Sequence, residues 1–147
     1  MNGYAGLGVD QSFRPSARRS SRIEGRRILF VDDELLMRRA VARLLRGAGA
    51  SCLGAATHDE TVVLLAFEPR LDLAILDYQV PDGGVGRLVR RLRWQRPALP
   101  LVGTSASDHR SEFAALGVGR FLQKPWGLDE LIDVADWAVV PDSSIRL

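Results

Sequence analysis

Leu73-Ala74-Ile75-Leu76-Asp77-Tyr78-Gln79-Val80-Pro81 runs four apolar residues straight into an aspartate, and the turn Pro81-Asp82-Gly83-Gly84 closes the stretch. A short unbroken apolar run bounded by turn residues is the pattern of a strand covered on both faces, as in a parallel sheet. An ionisable group at the carboxyl end of such a strand stands where open α/β sheets hold their ligands. Taken alone, the plainer reading of Asp77 is a polar residue that closes a strand. The neighbouring elements change that balance.

Upstream, Ile28-Leu29-Phe30-Val31 is a second buried-strand run, and it ends in Asp32-Asp33-Glu34. Leu36, Ala40, Val41, Leu44 and Leu45 then recur at helical spacing until Gly47 and Gly49 end the helix. Ser51 to Ala55 reads as a short strand, and Thr57-x-x-Glu60 as a capping box opening a helix that Pro69 stops. The opening strand spans Leu71 to Leu76. Beyond its turn, Leu88, Val89 and Leu92 mark one helical face, while Arg87, Arg90, Arg91, Arg93 and Arg96 crowd the rest. A solvated face is the default reading of those arginines. Leu99 to Gly103 predicts a fourth strand, followed by Thr104-Ser105-Ala106 and a short helix from about Asp108 to Leu116. Arg120-Phe121-Leu122 predicts a fifth strand, Lys124-Pro125 follows, and Leu128 to Trp137 lies on a last helix. Strand and helix alternate five times. That order predicts a doubly wound (βα)5 fold, a five-stranded parallel sheet with helices on both faces.

The 147 residues suit one domain, with a folded body at 26–141, a flexible basic extension at 1–25 and a short tail at 142–147. Hydrophobic content of 46% and charged content of 26% are those of a soluble globular protein. No apolar run reaches the length of a membrane span, and the first residues lack the core of a signal peptide, so the expected location is the cytoplasm. The net charge of +2 hides an asymmetry: residues 1–27 carry +4 and the remainder −2. A basic arm can meet nucleic acid or acidic partners, although solvated tails are commoner. Cys52 is the single cysteine, which excludes an internal disulfide, and it reads as a small buried hydrophobe. His58 and His109 lie in polar stretches without metal-ligand spacing and read as surface residues. Of the 20 basic residues only Lys124 is a lysine. The two cations are not interchangeable chemically, so its position matters.

Every polar group of interest follows a strand: Asp32 and Asp33 the first, Asp77 the third, Ser105 the fourth, Lys124 the fifth. Parallel strands share one carboxyl edge, so all five converge in one crevice. Crowded carboxylates repel, and their pKa values rise unless a cation sits between them. An all-oxygen donor set suits a hard ion, Mg2+ or Mn2+, which takes its remaining ligands from water and phosphate. Phosphoryl chemistry on a nucleophilic aspartate is the natural consequence.

Val31-Asp32-Asp33-Glu34, Asp77-Tyr78-Gln79-Val80-Pro81, Thr104-Ser105-Ala106 and Phe121-Leu122-Gln123-Lys124-Pro125 together resemble the signature set of response-regulator receiver domains of bacterial two-component signalling. Each motif alone is common; four in order, on the proper strand ends, are specific. The resemblance covers about residues 26 to 140 and implies a flavodoxin-like strand order 2-1-3-4-5. It implies Asp77 as phosphoacceptor, and Asp32, Asp33, Asp77 and the Gln79 backbone carbonyl as Mg2+ ligands. Lys124 would pair with the phosphoryl group across a cis Lys124-Pro125 peptide. Ser105 and Phe121 would move as the switch, although plain core packing also accounts for Phe121. Gln79 and Ser107 would tune hydrolysis of the acyl phosphate. Ser105, rather than Thr104, fits the hydroxyl position, because Ala106 follows it and Pro100 stands five residues before it. The 19 residues from Ser105 to Lys124 are about three short of the family's usual spacing, so the fourth helix or its leading loop is trimmed. Trp126 stands where Phe is usual.

The resemblance thus implies a stand-alone receiver, a signalling domain rather than an enzyme. It would take its phosphoryl group from a sensor histidine kinase or histidine phosphotransfer protein and act on a downstream protein target, without direct DNA binding. The alternative is a receiver-fold interaction module that signals independently of phosphorylation, which the trimmed helix favours. A haloacid-dehalogenase-type phosphatase would need Asp-x-Asp after the first strand, and Asp32-Asp33-Glu34 lacks that spacing.

Overall fold

A computed structural model of the chain describes residues 23–139. The expected basic extension up to residue 22 and the tail at 142–147 lie outside the described residues. Five strands and five helices alternate: β1 (Arg27–Val31), α1 (Leu35–Gly47), β2 (Ser51–Ala55), α2 (His58–Phe67), β3 (Leu73–Asp77), α3 (Gly84–Gln95), β4 (Leu101–Ser105), α4 (Arg110–Ala115), β5 (Arg120–Gln123) and α5 (Leu128–Val139). The strands form one parallel sheet in the order β2-β1-β3-β4-β5, the doubly wound arrangement the sequence predicts.

Strand alternation splits the core in two. Leu29 and Val31 of β1 face one side, with Leu76, Leu101, Leu65 of α2, Val85, Leu88, Val89 and Leu92 of α3, and Phe113 of α4. Ile28 and Phe30 face the other, with Ile75, Val102, Val41 and Leu45 of α1, and Leu131, Ile132 and Ala135 of α5. All of β3 is buried, as a central strand between two helical layers must be. The capping box at α2 forms with a one-residue offset. Thr57 Oγ1 accepts the Glu60 N–H at 3.1 Å, while the Glu60 carboxylate accepts from Ala56 N at 2.7 Å.

Several boundaries and burials differ from expectation. β4 begins at Leu101 instead of Leu99 and runs on to Ser105, because Pro100 cannot donate to a ladder and Tyr78 N and Lys124 N bond the Thr104 and Ser105 carbonyls. β3 likewise extends by one residue to include Asp77. Both chemistry-bearing residues therefore sit on strand rather than on loop. Residues 23–25 were expected in a flexible extension. Ile23 is instead fully buried in the α1–α5 layer, and Gly25 N bonds Gly49 O at 2.8 Å. His58, expected at the surface, is 4% exposed. It is the first residue of α2 and lines one cleft with Arg87, Arg90, Arg91 and Trp94 of α3. Conversely Leu36 and Phe67, on helical spacings that suggest core, are 76% and 78% exposed. Cys52 is half-buried.

Candidate functional site

The carboxyl edge of the sheet collects the five groups from four strands. Asp32, just past β1, is completely buried. Its Oδ1 accepts the Glu34 N–H at 2.9 Å, which fixes the turn into α1, and its Oδ2 accepts from Lys124 Nζ at 2.7 Å. Arg38 Nη1 donates to the Asp32 carbonyl at 2.7 Å, so this residue is held on three sides. Asp33 is exposed beside it. Asp77 ends β3, nearly buried; Lys124 Nζ stands 3.2 Å from its Oδ1, and its Oδ2 accepts the Gln79 N–H at 3.2 Å. Carboxylate oxygens from Asp32, Asp33 and Asp77 all lie within 4.8 Å of one another.

Lys124 follows β5, its N–H bonded to Ser105 O at 2.8 Å, and the Lys124-Pro125 peptide is cis. Its ammonium bridges Asp32 and Asp77. Burial alone would lower the Lys124 pKa. The hydrogen bond to Asp32 and the charges of both aspartates outweigh that and hold it above its ordinary value. Burial, then the like charge of Asp32, lifts the Asp77 carboxyl above the usual range, and Lys124 and the Gln79 N–H only partly oppose the rise. Three carboxylates against one ammonium leave an excess of negative charge in an oxygen-lined crevice. That donor set fits a hard divalent cation.

The two hydroxyls that end β4 have different environments. Thr104 Oγ1 donates to Leu122 O at 2.7 Å and accepts from the buried Trp126 Nε1 at 2.9 Å, so it is consumed inside the fold. Ser105 Oγ accepts only a 3.3 Å bond from Ser107 N and remains at the edge. Gln79 and Ser107 are both exposed at the mouth. Phe121, on β5, is half-buried, 5.8 Å from the Phe113 ring, with the Arg110 guanidinium 5.3 Å above it.

Other parts of the site were not visible in sequence. Tyr78, next to Asp77, stacks on His109 with ring centroids 3.6 Å apart and planes at 6°, and meets Phe113 edge-on at 6.0 Å. His109 is therefore half-covered rather than a plain surface residue, and its Nδ1 lies 2.6 Å from Glu112 Oε2. His109, Tyr78, Phe113 and Phe121 thus form a continuous aromatic row from beside Asp77 to β5. The only sequence signal for it was aromatic content at strand and helix ends. α4, which carries Phe113, is just six residues long, so of the helix and its leading loop the helix is short.

The family model for the response regulator receiver domain matches residues 28–136. The KDP operon transcriptional regulatory protein KdpE of Escherichia coli is 37% identical over 107 residues, 71% of this chain and 47% of that protein. The chain spans about half the length of such relatives. A response regulator receiver protein from Burkholderia phymatum superposes with a TM-score of 0.68 at 30% identity, over 77% of this chain and 94% of that one. Response regulator TrrA of Thermotoga maritima, solved in complex with Mg(2+)-BeF, superposes with a TM-score of 0.69 at 23% identity, over 78% and 99%. Among the described residues no helix is long and apolar enough to cross a membrane. The four strand-end motifs and the family match cover the same body, and this chain belongs to the response regulator receiver domains, signalling modules of two-component systems.

Proposed function

We propose that Asp77 accepts a phosphoryl group from a phosphohistidine on a histidine kinase or phosphotransfer protein. The observation that carries this reading is the Asp32–Lys124–Asp77 bridge, with ammonium contacts of 2.7 and 3.2 Å beside a third carboxylate. One Asp77 carboxylate oxygen forms the new bond to phosphorus as the phosphorus–nitrogen bond breaks, and the histidine nitrogen keeps that electron pair. Gln79 N holds the Asp77 carboxylate in orientation. Lys124 is placed to shift from Asp77 onto a phosphoryl oxygen, since its reach already spans both aspartates. Asp32, Asp33, Asp77 and the Gln79 carbonyl would hold Mg2+, oxygens of the three carboxylates already lying within 4.8 Å of one another. When bound, the ion neutralises the crowded carboxylates and the phosphoryl oxygens.

Ser105, held only by its long bond to Ser107 N, would turn its hydroxyl to the phosphoryl group, and Phe121 would move with β5. The phosphoryl group thereby biases a two-state element that partner proteins read. Exposed Gln79 and Ser107 stand where they would tune attack of water.

Incubation with a small phosphodonor and Mg2+, followed by intact mass, tests this. A single phosphoryl adduct lost in Asp77→Asn is the expected result. No adduct, or one that survives Asp77→Asn, refutes it. The six-residue α4 favours a second reading, a module that binds its partner without phosphorylation. A partner complex of equal affinity for wild type and Asp77→Asn would establish that one.

A further inference from the structure

The arginines of α3 form a built surface. Arg87, Arg90, Arg91 and Trp94 fall at i, i+3, i+4 and i+7, and with His58 they line a shallow cleft of about 420 Å3. This stripe lies opposite the buried one of Val85, Leu88, Val89 and Leu92. Arg87 Nη1 is anchored on the Asp82 carbonyl at 2.7 Å. Arg91 Nε bonds Gln95 Oε1 at 3.1 Å, and its guanidinium stands 5.8 Å over the Trp94 ring. No carboxylate among the described residues pairs with Arg87, Arg90 or Arg91 within 4.0 Å. Like charges at i, i+4 weaken a helix, and an indole that is 78% exposed gains nothing from burial. A merely solvated face would explain the arginines but not Trp94 among them.

We propose that this α3 face docks an acidic amphipathic helix of a partner protein. Charge selects the carboxylates. Spacing selects the helix: guanidiniums one turn apart, with an aromatic about 10 Å along the axis from the first, match carboxylates at i and i+3 or i+4 and an apolar residue at i+7. Arginine and tryptophan are the residues that dominate interface energies, and here two guanidiniums are already held in place. The surface lies beyond the β3–α3 turn, outside the Asp77 crevice.

The test is selection from a displayed library of helical peptides of randomised charge against the full chain, followed by affinities for Arg90→Glu/Arg91→Glu and Trp94→Ala. Enriched peptides should carry Asp or Glu one turn apart with an apolar residue beyond. They should bind the charge-reversed variant at least about tenfold more weakly. Phosphoryl uptake by that variant reports an intact fold; should it fail to fold, Arg90→Gln/Arg91→Gln replaces it. Enrichment of neutral or basic peptides, or equal binding to the variants, overturns the proposal. So does a fluorescein-labelled single-stranded oligonucleotide that binds more tightly than the peptides at physiological salt and is lost in the same variant, because the surface then recognises nucleic acid.

Discussion

Exchanging the two adjacent hydroxyls of β4 separates their roles. Thr104→Val keeps the side-chain shape and deletes two hydrogen bonds, to Leu122 O at 2.7 Å and from Trp126 Nε1 at 2.9 Å. Trp126 is only 9% exposed, so its N–H is left with no acceptor. Two net bonds of about 1 kcal/mol each, plus part of the penalty for a stranded buried donor, give a loss of about 2–3 kcal/mol. For a domain of this size that is a fall in Tm of about 10 °C. Ser105→Ala removes a single long bond at the edge and should change stability by under about 0.5 kcal/mol. Phosphoryl uptake should show the reverse order: Thr104→Val near wild type, Ser105→Ala impaired. Urea unfolding followed by circular dichroism, together with adduct formation from a small phosphodonor, measures both. In the cycle with Trp126→Phe, the coupling should be about 1 kcal/mol. A Thr104→Val protein as stable as wild type, or one that loses phosphoryl uptake more than Ser105→Ala does, would refute the assignment of the two hydroxyls.

Two further perturbations follow from the structure. A Cβ on Gly103 would stand 2.5 Å from Phe113 Cγ, so Gly103→Ala should cost about 1–3 kcal/mol by overpacking and displace α4, read as a lower urea midpoint and altered near-ultraviolet signals from Tyr78 and Phe121. Burial pushes the Cys52 thiol from 9.0 up to about 11, against the pull of Arg46, so at pH 8 it should react with a thiol reagent about 100-fold more slowly than free cysteine. Because that folded pKa lies above the unfolded one, the contribution to stability is complete below about pH 9 and disappears as pH rises towards 11; a labelling rate equal to free cysteine would contradict it.

The fold was legible because its signals are local. The runs at 28–31 and 73–76 are apolar without interruption, as a strand between two helical layers requires. The site was legible for a related reason. In a parallel sheet each strand ends on the same edge, so a residue's place in the chain also gives its place in the crevice. The residues misplaced from sequence depend on contacts between separate elements. His58 begins a helix with a polar run around it, and nothing local says that the fold buries it. Leu36 and Phe67 keep helical spacing, but how far the apolar stripe turns from the sheet is decided by packing. Ile23 sits in an arginine-rich stretch whose composition reads as a tail, and only its seat in the α1–α5 layer shows otherwise.

Lys124 joins the two kinds of evidence. Its being the lone lysine among arginines was visible, and the reason for the preference is geometric. The Lys124 side chain is 15% exposed, and its ammonium lies between two buried carboxylate oxygens at 2.7 and 3.2 Å. A compact point charge meets both from one atom. A planar guanidinium would place its donors in a fixed fork and prefer one carboxylate in bidentate form. The closer contact goes to Asp32, whose other oxygen is already committed to Glu34 N, and the looser one to Asp77. That inequality leaves Asp77 the less constrained acid, with burial and Asp32 raising its pKa and Lys124 only partly restraining it. A group meant solely to close a strand would have no need of such an arrangement, whereas the proposed phosphoacceptor would have to release its lysine to an incoming oxyanion.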